Sequence, residues 1–313
     1  MSLTTLLKLP EVKSMFRETF PVPAMDKDTP MKAKPKTENY KMIGTAFDYL
    51  LRFHIQFNNK RHCTVSKNGW IADSAMLTLY DLSKKHKVCY HTKLKTEVII
   101  DLPPDEYKDK GIDDGPILIS EKYLQKAKDD YSDCFRANNI SKDLLESSIR
   151  LAQMDGFYRS HILKYSDINY GDIADLKCLV KVASQSNCFT GKHYYLNPTF
   201  GSGSLMVGGA DSDLIMDDTL IDIKTTKFLK FRQAMYNQVI GYYLLWKKGK
   251  SDKSHKLPTI NNVGIYFSRH GLLYTIPVEH FKSNITDEFL DWFKTTAEKH
   301  TGIGEQDLQY LTT

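Results

Sequence analysis

Two aspartates, Asp213 and Asp222, constrain this chain more than any other pair of residues. They bracket Leu214-Ile215-Met216-Asp217-Asp218-Thr219-Leu220-Ile221, two short apolar runs separated by turn-forming residues. Such a pattern predicts a β-hairpin. A two-residue loop at Asp217-Asp218 sets the register: Met216 faces Thr219, Ile215 faces Leu220, and Leu214 faces Ile221. Asp213 and Asp222 then lie directly across the ladder, with Cβ atoms about 4.5–5.5 Å apart. Side chains alternate along a strand, so Lys224 projects on the Asp222 side while Ile221 and Ile223 suit a core.

Two facing carboxylates repel and destabilise a sheet. Two readings follow. In one, a hard divalent cation such as Mg²⁺ sits between them, and Lys224 adds a positive charge that favours their ionised forms. In the other, the polar face of the hairpin is simply acidic and solvated, as is common for amphipathic hairpins.

The surrounding chain supplies context in order. Residues 1–40 hold an amphipathic piece from Leu6 to Phe20. A stretch follows in which Pro21, Pro23, Pro30 and Pro35 sit among Lys27, Lys32, Lys34 and Lys36, and it reads as an extended basic arm. Residues 42–57 carry apolar side chains at helical spacing, with Asp48 within that stretch. Helices are expected over 70–87 and 117–136, and a loop rich in Asp, Pro and Gly over 101–116. Another helix opens at Ser141 or Asn139 and carries Glu146. Residues 172–176 begin a short helix, and Cys178 to Ala183 fits helix or strand equally well.

Tyr194-Tyr195-Leu196 and Leu205-Met206-Val207 look like strands separated by a flexible Gly201-Ser202-Gly203-Ser204 turn. No helical pattern follows that Gly-x-Gly, so a dinucleotide-binding loop is not indicated. Beyond the hairpin, Lys224, Lys227, Lys230 and Arg232 form a basic run suited to phosphate contacts. Gln233 to Trp246 is an amphipathic helix with Gln238 and Tyr242 one turn apart. Residues 261–277 form a second hairpin turning near His270-Gly271, and a last helix runs from about Asp287 to Lys299.

Composition excludes several classes. Of 313 residues, 41% are hydrophobic and 26% charged, as in ordinary globular chains. No stretch is long and apolar enough to predict a membrane span, and no secretory leader pattern is seen. Five scattered cysteines without a C-x-x-C pair argue against a zinc ribbon or an iron–sulfur cluster. Reduced thiols suggest a cytoplasmic setting. A net charge of +5 is compatible with a nucleic-acid partner without requiring one.

Asp213, then Asp222-Ile223-Lys224-Thr225, then Gln238-Val239-Ile240-Gly241-Tyr242 resemble in order and spacing the motifs of the PD-(D/E)XK nuclease superfamily, in particular its RecB-like branch. Gly44-Thr45-Ala46-Phe47-Asp48 stands where that branch has a Gly-x-x-x-His helix, with a carboxylate in place of the histidine. The branch's iron–sulfur cysteines have no counterpart.

The resemblance implies a mixed α/β fold: an αβββαβ restriction-endonuclease-like core with a helical insertion. Its parts would be a basic N-terminal arm at 1–40, a first core helix at 41–60, a mainly helical lobe at 61–190, and the nuclease core at 191–313. It also implies Mg²⁺ or Mn²⁺ held by Asp213, Asp222 and the Ile223 carbonyl, with Asp48 or Glu146 as the third carboxylate. Lys224 would stabilise the transition state, Gln238 and Tyr242 would position reacting groups, and Lys227, Lys230 and Arg232 would hold the DNA backbone. The implied function is metal-dependent hydrolysis of DNA, with protein partners from recombination, replication or defence conceivable. An inactive DNA-binding or assembly subunit that keeps the nuclease fold is the alternative.

Overall fold

The computed structural model describes residues 2–26, 28–65, 69–85, 87–91, 96–100, 112–113, 115–160, 163–252, 256–304 and 307, with backbone alone given over 82–116. In chain order the elements begin with helices α1 (Leu3–Leu6), α2 (Pro10–Thr19) and α3 (Tyr40–Asn58). Strand β1 (Cys63–Val65), helix α4 (Ile71–Lys85) and strands β2 (Lys87–His91), β3 (Thr96–Ile100) and β4 (Ile112–Asp113) follow. Helices α5 (Gly115–Ala137), α6 (Lys142–Ser160) and α7 (Tyr170–Gln185) lead to strand β5 (Tyr194–Leu196) and helix α8 (Ser202–Met206). Strands β6 (Leu214–Met216) and β7 (Thr219–Lys224), helix α9 (Gln233–Gly249), strands β8 (Asn262–Phe267) and β9 (Leu272–Pro277), and helix α10 (Asp287–Thr301) complete the order. No helix among the described residues is long and apolar enough to cross a membrane.

The chain divides into two units. One comprises residues 1–31, 62–66 and 188–313; the other comprises 32–61 and 67–187. The first is built on a six-stranded mixed sheet in the order β1-β5-β6-β7-β8-β9. The pairs β1–β5 and β7–β8 are parallel and the other neighbours antiparallel. The hairpin has the expected register: Met216 pairs Thr219, Ile215 pairs Leu220, and Leu214 pairs Ile221. Asp217 adopts a left-handed φ of 52°, which aspartate tolerates better than most side chains. Its carboxylate accepts the Lys192 and His193 N–H groups at 3.0 and 2.8 Å, so the turn is tied to the chain leading into β5.

One face of this sheet packs Ile215, Leu220, Val263 and Ile265 against α9 and α10. Residues 1–31 do not form an extended arm throughout. Leu3, Leu6, Val12, Phe16 and Phe20 are buried in the same core, and Phe16 and Phe20 meet Phe289 with ring centroids 5.6 and 5.1 Å apart. For the same reason α9 is not amphipathic in the structure. It is buried on nearly every side from Tyr236 to Trp246, because Leu3 of α1 covers it at Gly241.

The strand expected at Leu205-Met206-Val207 is instead the short helix α8. A Cβ on Gly203 would lie 2.1 Å from the Leu245 carbonyl oxygen, and one on Gly249 would lie 1.9 Å from the Phe200 oxygen. These glycines let α8 and the Phe200 segment before it touch α9 backbone to backbone, so Gly201-Ser202-Gly203-Ser204 is a packing surface and not a flexible turn. Asp252 caps α8, accepting Ser202 N–H at 2.6 Å and Ser202 Oγ–H at 2.7 Å. The central strands β5 and β6 coincide with the apolar runs Tyr194-Tyr195-Leu196 and Leu214-Ile215-Met216.

The second unit contains α3 to α7 and a three-stranded antiparallel sheet in the order β3-β2-β4. The helix expected at 41–60 as part of the nuclease core groups with this unit. Phe53 and Phe57 of α3 pack tilted against Tyr131 of α5 with ring centroids 4.9 and 5.5 Å away. The stretch 61–190 is therefore not only helical: it holds this second sheet and gives β1 to the first. Ser141 is the cap of α6, accepting Leu144 N–H at 3.1 Å. Cys178 to Ala183 is helical, inside α7. Of the loop expected at 101–116, residues 101–111 and 114 lie outside the described residues.

Candidate active site

Strand β7 sets the site. Leu220, Asp222 and Lys224 alternate onto the sheet face covered by α9, while Ile221 and Ile223 are buried on the opposite face. Asp222 is only 1% exposed, so the solvated acidic face does not exist at this position. The paired ladder ends at Leu214–Ile221, one pair short of the expected Asp213–Asp222 pairing, and Asp213 joins the site through its side chain: the Ile223 N–H donates to Asp213 Oδ2 at 2.6 Å. A residue's N–H and C=O lie on the same edge of its strand. The Ile223 carbonyl therefore shares the edge on which Asp213 sits.

A chain of contacts runs from Asp222 into α9. Lys224 Nζ forms an ion pair with Asp222 Oδ2 at 2.7 Å and donates to Gln238 Oε1 at 3.1 Å. Gln238 Nε2 donates to Tyr242 Oη at 3.0 Å. The one-turn spacing of Gln238 and Tyr242 stacks them on one face of α9, and the parallel β7–α9–β8 crossover lays that face over the end of β7. The adjoining end of β8 is tied in by Ser268, whose N–H donates to the Lys224 carbonyl at 3.1 Å. The Ser268 Oγ–H donates to Thr225 Oγ1 at 2.9 Å.

Burial raises the pKa of the Asp222 carboxyl, opposed by the Lys224 ammonium. The Tyr242 hydroxyl is pushed well above its ordinary value by burial first, then by the charges of Asp222, Asp213 and Asp211, with the Gln238 bond opposing. It stays protonated throughout the neutral range. It accepts the Gln238 N–H and retains an O–H to donate.

Asp211 went unrecognised in the sequence. It is two residues before Asp213, and its charge adds to those acting on the Tyr242 hydroxyl. Asn197, itself in the left-handed region with φ 48°, donates to Asp211 Oδ2 at 2.9 Å. No sequence pattern marked Ser268.

The six core positions, Asp213, Asp222, Ile223, Lys224, Gln238 and Tyr242, are thus brought together within the sheet unit. Lys227, Lys230 and Arg232 follow in the loop from β7 to α9, with Lys230 and Arg232 exposed and Lys227 half-buried. Asp48 and Glu146 belong to the helical unit. Asp48 Oδ2 pairs with Arg52 at 2.9 Å, and Glu146 Oε1 pairs with Lys142 at 3.1 Å.

Among the described residues, no group of three or more His, Cys, Asp or Glu side chains is arranged to hold a metal ion. The available donors at the hairpin are two carboxylates and a backbone carbonyl. This set fits Mg²⁺ or Mn²⁺, since Mg²⁺ commonly takes one or two carboxylates and completes its shell with water and substrate phosphates. In the structure Lys224 supplies the positive charge that Asp222 needs.

Comparison with known proteins finds no matching family model, no similar curated protein and no similar solved structure.

Proposed function

We propose that this chain is a divalent-cation-dependent deoxyribonuclease with a PD-(D/E)XK-type core, hydrolysing phosphodiester bonds in DNA. The observation that carries the reading is the contact chain Asp222–Lys224–Gln238–Tyr242 beside Asp213. Burying a carboxylate costs several kcal/mol in desolvation (on the order of the penalties for buried ions). A chain of polar partners across strand and helix is a costly arrangement for a hairpin that merely faces water.

Asp213, Asp222 and the Ile223 carbonyl would hold Mg²⁺ or Mn²⁺, which when bound acidifies a water and offsets negative charge on the phosphate. Lys224 donates from its ammonium to phosphate oxygens as charge builds on them, and this preorganised donation lowers the barrier. Gln238 fixes that ammonium through Oε1, and Tyr242 fixes the amide of Gln238 by accepting from Nε2. Lys230 and Arg232 supply exposed positive charge for the strand on either side of the cut.

The test is cleavage of labelled single-stranded DNA, duplex DNA and RNA with Mg²⁺, Mn²⁺ or EDTA. Cation-dependent cutting that Asp222→Asn abolishes supports the proposal. Salt-dependent DNA binding with no cutting under any cation would replace it with a binding or assembly subunit of the same fold.

A further inference from the structure

The loop from Thr225 to Arg232, between β7 and α9, is anchored along its length. Ser268 holds Thr225. His270 Nε2 lies 3.2 Å from the Lys227 carbonyl oxygen while its Nδ1 lies 2.9 Å from that of Thr29. Inside the loop, Phe228 N–H donates to Thr226 Oγ1 at 3.2 Å and Lys230 N–H donates to the Phe228 carbonyl at 3.0 Å. Leu229 packs on the core, and Phe231 is buried with ring centroids 5.6 Å from Tyr236 and 5.2 Å from Tyr274.

Between these anchors the Phe228 side chain is 63% exposed. A single exposed apolar residue is ordinary on a protein surface. Phe228 differs in its setting. Its backbone is held on both sides, so the ring is presented and not merely loose. Lys227, Lys230 and Arg232 surround it in sequence, and Lys224 of the candidate active site is four residues before it. A rigidly held aromatic ring within a basic track is the combination that binds a single nucleic-acid strand: cations follow the phosphates and a base stacks on the ring. Bases inside a duplex have both faces covered by their neighbours, so the ring discriminates in favour of unpaired bases.

We propose that Phe228 is a base-stacking residue and that the strand engaging this site is single-stranded DNA, with Lys230 and Arg232 on its phosphates. The proposal rests on the nuclease reading of the same site and adds the form of the substrate.

Fluorescence anisotropy of the full chain in EDTA tests it, with a labelled oligothymidylate and a duplex of mixed sequence as probes. Phe228→Ala should weaken single-strand binding by about tenfold or more, the loss of one stacked base. Phe228→Trp should restore it, and duplex binding should change far less in either variant. Lys230→Ala should weaken both probes and reduce the salt slope by about one unit. Unchanged single-strand affinity in Phe228→Ala overturns the proposal. So does an equal loss on both probes, or no single-strand binding by the wild-type chain.

Cleavage with Mg²⁺ or Mn²⁺ separates the two readings. Binding through Phe228 without any cutting removes the nuclease assignment and leaves the stacking role. Cutting with no effect of Phe228→Ala on single-strand binding removes the stacking role alone.

Discussion

The Lys224 ammonium stands 2.7 Å from the Asp222 carboxylate, and the two side chains differ sharply in exposure, 28% against 2%. The lysine reaches solvent and the aspartate does not. Truncating the lysine therefore leaves a buried carboxylate without its counter-charge, whereas neutralising the aspartate leaves a lysine that water can serve.

Lys224→Ala should lose about 100- to 1000-fold in cleavage rate, the usual effect of removing one preorganised donor to developing charge. It should also lose stability in a pH-dependent way. Asp222 already has a raised folded-state pKa, so the folded chain binds its proton more tightly than the unfolded chain, and its ionisation costs stability as pH rises through that interval. Without Lys224 the folded pKa rises further and the interval widens. The penalty relative to wild type should be small below about pH 4, near the ordinary carboxylate range, and grow towards neutrality. Urea unfolding across pH measures it, and a penalty independent of pH would contradict the assignment of the ion pair.

Asp222→Asn should abolish cleavage while leaving the thermal midpoint equal to wild type or higher. A neutral amide of the same shape removes the desolvation cost that raises the Asp222 pKa. Melting followed by circular dichroism, with cleavage on the same preparations, checks both halves. A large drop in the midpoint would mean that the charge itself holds the fold.

Tyr242→Phe should reduce cleavage without shifting the alkaline limb of its pH profile. The hydroxyl is held protonated by burial and by Asp222, Asp213 and Asp211, so it is a fixed neutral acceptor for Gln238 and not a titrating base. Loss of its bond from Gln238 should cost about 0.5–1.5 kcal/mol of stability. Disappearance of the alkaline limb in the pH–rate profile would assign Tyr242 a proton-transfer role instead.

Gly203→Ala should destabilise the chain by about 1–3 kcal/mol or more through overpacking, because the new methyl would meet the Leu245 backbone. Gly156→Ala should stabilise it by roughly 0.5–1 kcal/mol, since that helical glycine in α6 has nothing within 4 Å of where a Cβ would sit. Denaturant midpoints of the two variants should move in opposite directions.

The hairpin was legible because a two-residue loop allows one register, and Asp217-Asp218 is unambiguous turn chemistry. That Gln238 and Tyr242 share a helix face was legible from their spacing, whereas their place beside Lys224 was an expectation from the motif resemblance alone, because the contact is tertiary. The burial of Asp222 was not, since alternation cannot say which face of a strand a helix will cover. Helix α8 was misread because Gly-Ser-Gly-Ser favours turns locally, and the deciding contact with Leu245 comes from about 40 residues later. Strand β1 is three residues long, and its partner β5 begins more than 120 residues downstream, so no local window contains the information. Phe228 was passed over because exposure is a property of the folded loop.

The aromatic contacts between α2 and α10 have a consequence for biosynthesis. Phe16 meets Phe289, and 273 residues separate them along the chain. At roughly 5–20 residues per second of translation, the apolar face of α2 waits tens of seconds for the helix that covers it. During that interval the growing polypeptide leaves Val12, Phe16 and Phe20 uncovered, and a holdase chaperone that shields such faces should raise the yield of folded protein.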